Sequence, residues 1–360
     1  MGNTLDFTIS KEEMKSAVDK EFPKLQNLRK LSKQLSITEL GDRPCYSIAP
    51  VATDGGQNNL TFEPLNLEII RVVDSEGNER LQKIIPITTD PEFYRNLFEE
   101  IEVLQRFLSR LDIEYEGLSY FLPTTSANGE RNNFRSLIRH LRDILEWAVL
   151  LDMAWDPHKT PILLLRDGLL RSMSMKDQTI KSLEGSFQEA YEEKGTLLVG
   201  VAKRAKVLNY YSLALNLENS FNRTYPCYCE LQKDLEEEAY RHASAWVGRR
   251  SFGDLYFAKL TEAREGVILP IEIPVWLKDR DKEILEYLVS SSKSSFPIIG
   301  YPYPLIKAHE NAALTGIEME YLASLLKNEI LKRYSEPDKE RILSSIWFSK
   351  ALTKGGLNDE

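Results

Sequence analysis

Residues 161–170 read Pro-Ile-Leu-Leu-Leu-Arg-Asp-Gly-Leu-Leu. The run from Pro161 to Leu165 is short and continuously apolar, the pattern of a strand buried on both faces. Asp167 stands at the end of that strand with Gly168 behind it. A carboxylate in such a place costs desolvation energy unless a cation or hydrogen bonds compensate it. The neighbouring glycine lets backbone or phosphate come close. Asp-Gly is also a common turn pair, so one such site could simply open a turn.

Working outward, a second site of the same kind lies upstream. Tyr46 to Thr53 reads as a strand, and Asp54-Gly55-Gly56 follows it. Residues 65–73 begin with an alternating strand pattern, 74–78 form a turn cluster, and 81–87 give another strand. Three strands with short connections imply an antiparallel meander. Asp90-Pro91 then caps and starts a helix that keeps its apolar face to Leu111. A polar loop over 124–133 leads into a long helix over 133–154. Downstream, Thr196–Ala202 is a buried-type strand, with further strands over 255–260 and 268–275. Residues 176–194 read as a charged helical insertion, 203–217 as a helix, and 219–250 as polar and irregular or helical. Residues 5–36 read as a helix that Pro23 breaks in two.

A meander followed by strand–helix units predicts an α/β fold: a mixed sheet, antiparallel meander plus parallel strands, flanked by helices. That is the plan of RNase H-like folds. The expected organisation is a helical extension over 1–40, a catalytic domain over 41–316, and C-terminal helices over 317–360 packed on the same domain. The two aspartates follow the first and fourth predicted strands. In such a sheet these strands can lie side by side and parallel, which brings both carboxylates to one edge.

A metal-dependent phosphodiesterase needs a third acid nearby. The helix before residues 161–165 runs back antiparallel to that strand. Five strand residues span roughly 17 Å, which about eleven helical residues cover at 1.5 Å each. Counting back from Trp155 lands on residues 143–146, where Glu146 sits among apolar neighbours. An ion pair with Arg142 one turn away is the competing role for Glu146. Asp152 is a rival by periodicity, and Asp143 a weaker one.

Composition narrows the class. With 42% apolar and 28% charged residues, the 360-residue chain has the make-up of an ordinary soluble protein. A net charge of −9 argues against bulk coating of nucleic acid, though not against a local basic groove. Three cysteines, Cys45, Cys227 and Cys229, suggest neither a disulfide framework nor a zinc site. The four histidines lack a zinc-protease spacing. With no long uncharged apolar run and no apolar core near the N-terminus, a cytoplasmic protein without membrane association is expected. There is no P-loop, so ATP-driven movement must come from a partner. Mg²⁺ and Mn²⁺ prefer oxygen ligands, which suits the acids. Lys203, at a strand-to-helix junction, is placed to hold phosphate, with a solvated helix start as the alternative. Tyr303 could stack on a base or simply belong to the rigid Tyr-Pro-Tyr-Pro turn. Arg166 points away from the side of Asp167 by strand alternation.

The ordered segments DGG at 54–56, LLLRDGLL at 163–170, VGVAK at 199–203, DLYFAKL at 254–260 with IEIPVW at 271–276, and YPYPLIKAHENA at 301–312 resemble the NurA nuclease domain, over roughly residues 44–316. The resemblance implies an RNase H-like core and Mn²⁺ or Mg²⁺ dependence. It also implies single-strand endonuclease and 5′-to-3′ exonuclease activity on DNA. The implied assembly is a homodimer working in DNA end processing with a hexameric HerA-type ATPase; some members act in phage defence. Asp54 and Asp167 match the catalytic aspartates, Glu146 the helical glutamate, and His309 the late histidine. The expected metal ligands are therefore Asp54, Glu146 and Asp167, with His309 near the scissile phosphate. DGG stands where the family usually has DGS. A catalytically weak DNA clamp or adaptor is the alternative, which the intact aspartates disfavour.

Overall fold

The structure, a computed structural model, describes residues 11–344 except 45–47, 63–64, 89, 123–133, 158–159, 243–250, 265 and 294. The polar loop expected over 124–133, the helix start before residue 11, Cys45, and residues 345–360 lie outside the described residues. The chain opens with α1 (Lys11–Gln34) and the two-residue β1 (Thr38–Glu39). The meander follows as β2 (Ala49–Phe62), β3 (Leu65–Asp74) and β4 (Glu79–Pro86). Four helices come next: α2 (Pro91–Glu100), α3 (Glu102–Leu111), α4 (Tyr115–Leu118) and α5 (Phe134–Trp155). Then come β5 (Ile162–Asp167), α6 (Asp177–Lys194), β6 (Leu197–Val201), α7 (Lys206–Leu217), β7 (Cys227–Leu231) and α8 (Lys233–His242). The chain continues with β8 (Gly253–Lys259), β9 (Leu269–Pro274), α9 (Asp281–Ser292), α10 (Tyr303–Ala312) and α11 (Gly316–Leu331).

Among the described residues, nine strands form one mixed sheet in the order β1-β7-β8-β9-β6-β5-β2-β3-β4. β2 pairs antiparallel with β3 and β3 with β4, while β5 runs parallel to both β2 and β6. The β4-β3-β2-β5-β6 half has the expected RNase H-like arrangement. Alternation along the strands sends side chains to two layers. Val51, Leu164 and Leu198 pack with α2, α3, α5 and α6 on one face. Ala52, Leu163, Leu165 and Val199 pack with α9 and α10 on the other. At the far end α1 and α7 cover β7 and β8 through Leu28, Val207, Tyr211, Cys229 and Phe257.

Several expectations are corrected. β2 does not end at Thr53: it runs on through Asp54-Gly55-Gly56 to Phe62, because β3 pairs with it residue for residue from Thr53↔Asp74 to Phe62↔Leu65. Ladder hydrogen bonds outweigh the turn preference of Asp-Gly here. The helix expected over 90–111 is two helices, parted at the extended Ile101 (φ −94°, ψ 96°). Helix α1 continues through Pro23. Its first half is exposed, so water can satisfy the carbonyl that the proline leaves free. The segment expected as an insertion over 176–194 is α6, the crossover that the parallel neighbours β5 and β6 require. It buries Ile180, Leu183 and Phe187 in the core. Strand β7 lies in a stretch expected to be irregular or helical. Helix α11 is capped by a reciprocal Thr315–Glu318 box but buries none of its side chains. It is tethered by the Arg71–Glu318 ion pair. Among the described residues no helix is long and apolar enough to cross a membrane.

Candidate metal centre

The parallel pairing of β2 and β5 fixes the heart of the site. Its register runs from Ala49↔Ile162 to Thr53↔Arg166. Asp54 and Asp167 are the next residues on each strand, so they leave the sheet at the same level. Both belong to the face that carries Ala52, Leu163 and Leu165, beneath α9 and α10.

Helix α10 supplies a third group. Its C-terminal turn lies directly on β2: a Cβ added at Gly56 would stand 2.2 Å from the Ala312 carbonyl oxygen. That close approach needs glycine. Three residues earlier on the helix, His309 reaches Asp54, with Nδ1 2.6 Å from Oδ2. One ligand atom from each of Asp54, Asp167 and His309 falls within 4.8 Å of the others. Two carboxylates and an imidazole so spaced could hold a hard divalent cation.

Asp167 is further engaged by two neighbours. Lys203 Nζ lies 2.9 Å from Oδ2, and the Tyr301 hydroxyl donates to Oδ1 at 3.3 Å. The same ammonium sits 5.3 Å from the centroid of the Tyr301 ring. Lys203 is thus not at the start of a helix as expected. It precedes α7 and its N-cap Ala205, and its side chain turns back onto Asp167. Tyr301 is fully buried. Burial, then the nearby Asp167 and Asp54, push its phenol far up, so it stays protonated and donates. Sequence reasoning passed over Tyr301, reading its Tyr-Pro pair as a turn. It lies just ahead of α10, outside the helix that carries His309, so no helical spacing marks it in the sequence. Tyr303 stands apart, 43% exposed at the start of α10, with Lys307 Nζ 5.5 Å from its ring centroid.

The expected third acid, Glu146, is not in the group of three. It belongs to α5, on the opposite face of the sheet, and comes up beneath Gly55. A Cβ at Gly55 would meet Glu146 Oε1 at 2.3 Å. Glu146 is 14% exposed and faces Arg142, with Nε to Oε1 at 3.2 Å. Burial, then Asp143, push its carboxyl up to about 8, while Arg166 and Arg142 pull it down. The rival acids are occupied elsewhere. Asp152 makes a two-pronged pair with Arg106 of α3 at 2.7 and 2.8 Å. Asp143 accepts from Arg166 at 2.7 Å and from Ser172 at 2.5 Å.

A sequence model of the NurA domain matches residues 50–314, well over half of the chain. No curated protein matches the sequence. Solved structures similar to the chain include the NurA nuclease from Sulfolobus solfataricus, 14% identical, covering 91% of this chain and 99% of that one with a TM-score of 0.39. A NurA bound to dAMP and manganese is 12% identical, with 89% and 97% covered and a TM-score of 0.39. Endonuclease V from Bacillus subtilis is 10% identical, with 86% and 94% covered and a TM-score of 0.30.

Proposed function

Because the chain belongs to the NurA family, we propose that it is a metal-dependent DNA nuclease whose centre is built on Asp54 and Asp167. The observation that carries this reading is the pair of aspartates side by side on parallel strands, with a ring nitrogen of His309 within 4.8 Å of an oxygen of each. The donor set fits Mn²⁺ or Mg²⁺, and Glu146, which lies against Gly55, is the proposed third carboxylate. When bound, the ion supplies an activated water and charge neutralisation at the scissile phosphate.

The chain's own residues do the remaining work. Asp54 and Asp167 provide the hard oxygen donors, and the Tyr301 hydroxyl orients the Asp167 carboxylate. Lys203 is placed to move its ammonium from Asp167 to a phosphate oxygen. His309, 65% exposed in its side chain, is the group at the mouth of the site. It acts as an extra ligand or as the proton donor to the leaving oxygen. Tyr303 stacks on a base or holds a phosphate on the outer surface. The proposed activities are single-strand endonuclease and 5′-to-3′ exonuclease. The proposed setting is DNA end processing in the cytoplasm, as a homodimer with a hexameric HerA-type ATPase. Labelled single- and double-stranded DNA incubated with Mn²⁺, with and without chelator, tests the reading. Metal-dependent shortening of the strands is expected. An inert protein, even with its cognate ATPase present, would overturn it.

A further inference from the structure

Arg166 precedes Asp167 on β5, and alternation turns its side chain to the α5 face, away from the metal centre. It is 8% exposed there, yet its guanidinium is held on three sides. One nitrogen donates to the Leu169 carbonyl at 2.7 Å, closing the turn just after Asp167. The other donates to Asp143 on α5, also at 2.7 Å. The plane lies over Trp147, 4.4 Å from the ring centroid. Gly168 makes room for it: its φ is +133°, and a Cβ there would stand 2.4 Å from the Arg166 nitrogen that bonds Leu169. The second oxygen of Asp143 takes the Ser172 hydroxyl at 2.5 Å. Strand β5, the loop after it and helix α5 are therefore joined by one carboxylate and one guanidinium.

Asp143 lies three residues before Glu146 on α5, and Arg166 lies one before Asp167 on β5. We propose that the Arg166–Asp143 pair is a positioning device that fixes the separation between Glu146 and Asp167, and so sets the affinity of the centre for a divalent ion. The inference rests on the metal-centre reading above. A planar, two-pronged donor suits this task, whereas lysine keeps the charge and loses both the fork and the stacking. Supporting residues of this kind typically tune metal affinity by about 10–100-fold.

The test is Mn²⁺ binding to the full chain without DNA, read from the free-Mn²⁺ electron paramagnetic resonance signal. Arg166→Lys and Asp143→Asn are each expected to weaken binding about tenfold, and the double variant is expected to be no worse than the weaker single one. Cleavage by Arg166→Lys should recover at saturating Mn²⁺, a change in metal KM rather than kcat. Asp152→Asn, which breaks a different ion pair on the same helix, is the stability control and should bind Mn²⁺ like the wild type. Should Arg166→Lys fail to fold, Ser172→Ala removes one strand of the same network and is expected to weaken binding in the same direction. Unchanged affinity in the Arg166 and Asp143 variants, or an equal loss in Asp152→Asn, would overturn the proposal. Asp54→Asn and Asp167→Asn separate the two readings: if they too bind normally, the metal centre itself falls and this inference with it.

Discussion

Asp54 and Asp167 each stand one residue beyond the last paired step, Thr53↔Arg166, of two parallel strands that are neighbours in the sheet. Their separation is thus set by the ladder itself, a far stiffer frame than a loop. Replacing either by asparagine keeps the shape and removes a charge. Asp54→Asn and Asp167→Asn are expected to lower cleavage beyond the roughly 10–100-fold that loss of a supporting residue costs, with far-ultraviolet circular dichroism unchanged. Wild-type cleavage by either variant would remove the proposed centre.

Gly56 carries the approach of α10 to β2. Alanine there would put a methyl group 2.2 Å from a backbone carbonyl, which no side-chain rotation can relieve. Helix α10 must lift, and His309 with it. Gly56→Ala is expected to cost about 1–3 kcal/mol of stability. Urea unfolding measures that loss, and the variant should also cleave more slowly than the wild type. A variant as stable and active as the parent would show that α10 does not rest on this point.

Glu146 gives a pH signature. Its carboxyl is pushed up to about 8 in the folded protein, above the ordinary range it has when unfolded. Its contribution to stability is therefore fully present below pH about 4.5 and is lost as the pH rises through about 8. Glu146→Gln, which stays neutral, should melt higher than the wild type at pH 8.5 in chelator, by a margin that corresponds to at most a few kcal/mol. The margin should close near pH 5. Adding Mn²⁺ should favour the wild type over the variant at high pH. Thermal melts across that range, with and without metal, read all three.

Lys203 pairs with Asp167 at 2.9 Å, and the proposed role of its ammonium is to exchange that partner for phosphate. Lys203→Met should weaken binding of single-stranded DNA and lower the slope of log affinity against log salt by about 1. Fluorescence anisotropy at several salt concentrations measures the slope. An unchanged slope would mean that this ammonium never reaches the nucleic acid.

Much of this was legible in the residues. The buried run before Asp167 and the meander followed from periodicity, because each is a local pattern that the sheet only assembles; that the two aspartate strands can lie side by side and parallel came from the mixed-sheet plan those patterns suggest. Rise per residue pointed to Glu146, which the structure brings against Gly55 but not into the group of Asp54, Asp167 and His309. What local patterns could not reveal were choices made by distant partners. The ten pairs that β3 makes with β2 carry the strand past Asp54. The ion pairs of Asp152 and Asp143 depend on Arg106 and Arg166 arriving from other elements. Tyr301 and the turned-back Lys203 are likewise defined only by what Asp167 attracts. The face on which Glu146 approaches is a further case, since helical height says nothing about which side of a sheet a helix covers.

Gly55 leaves nothing but main chain between Glu146 on one side of the sheet and the aspartates and His309 on the other. Here the barrier between the two helical layers is a partition without lagging, so the charge of Asp54 on one flank is felt by the Glu146 carboxyl on the other.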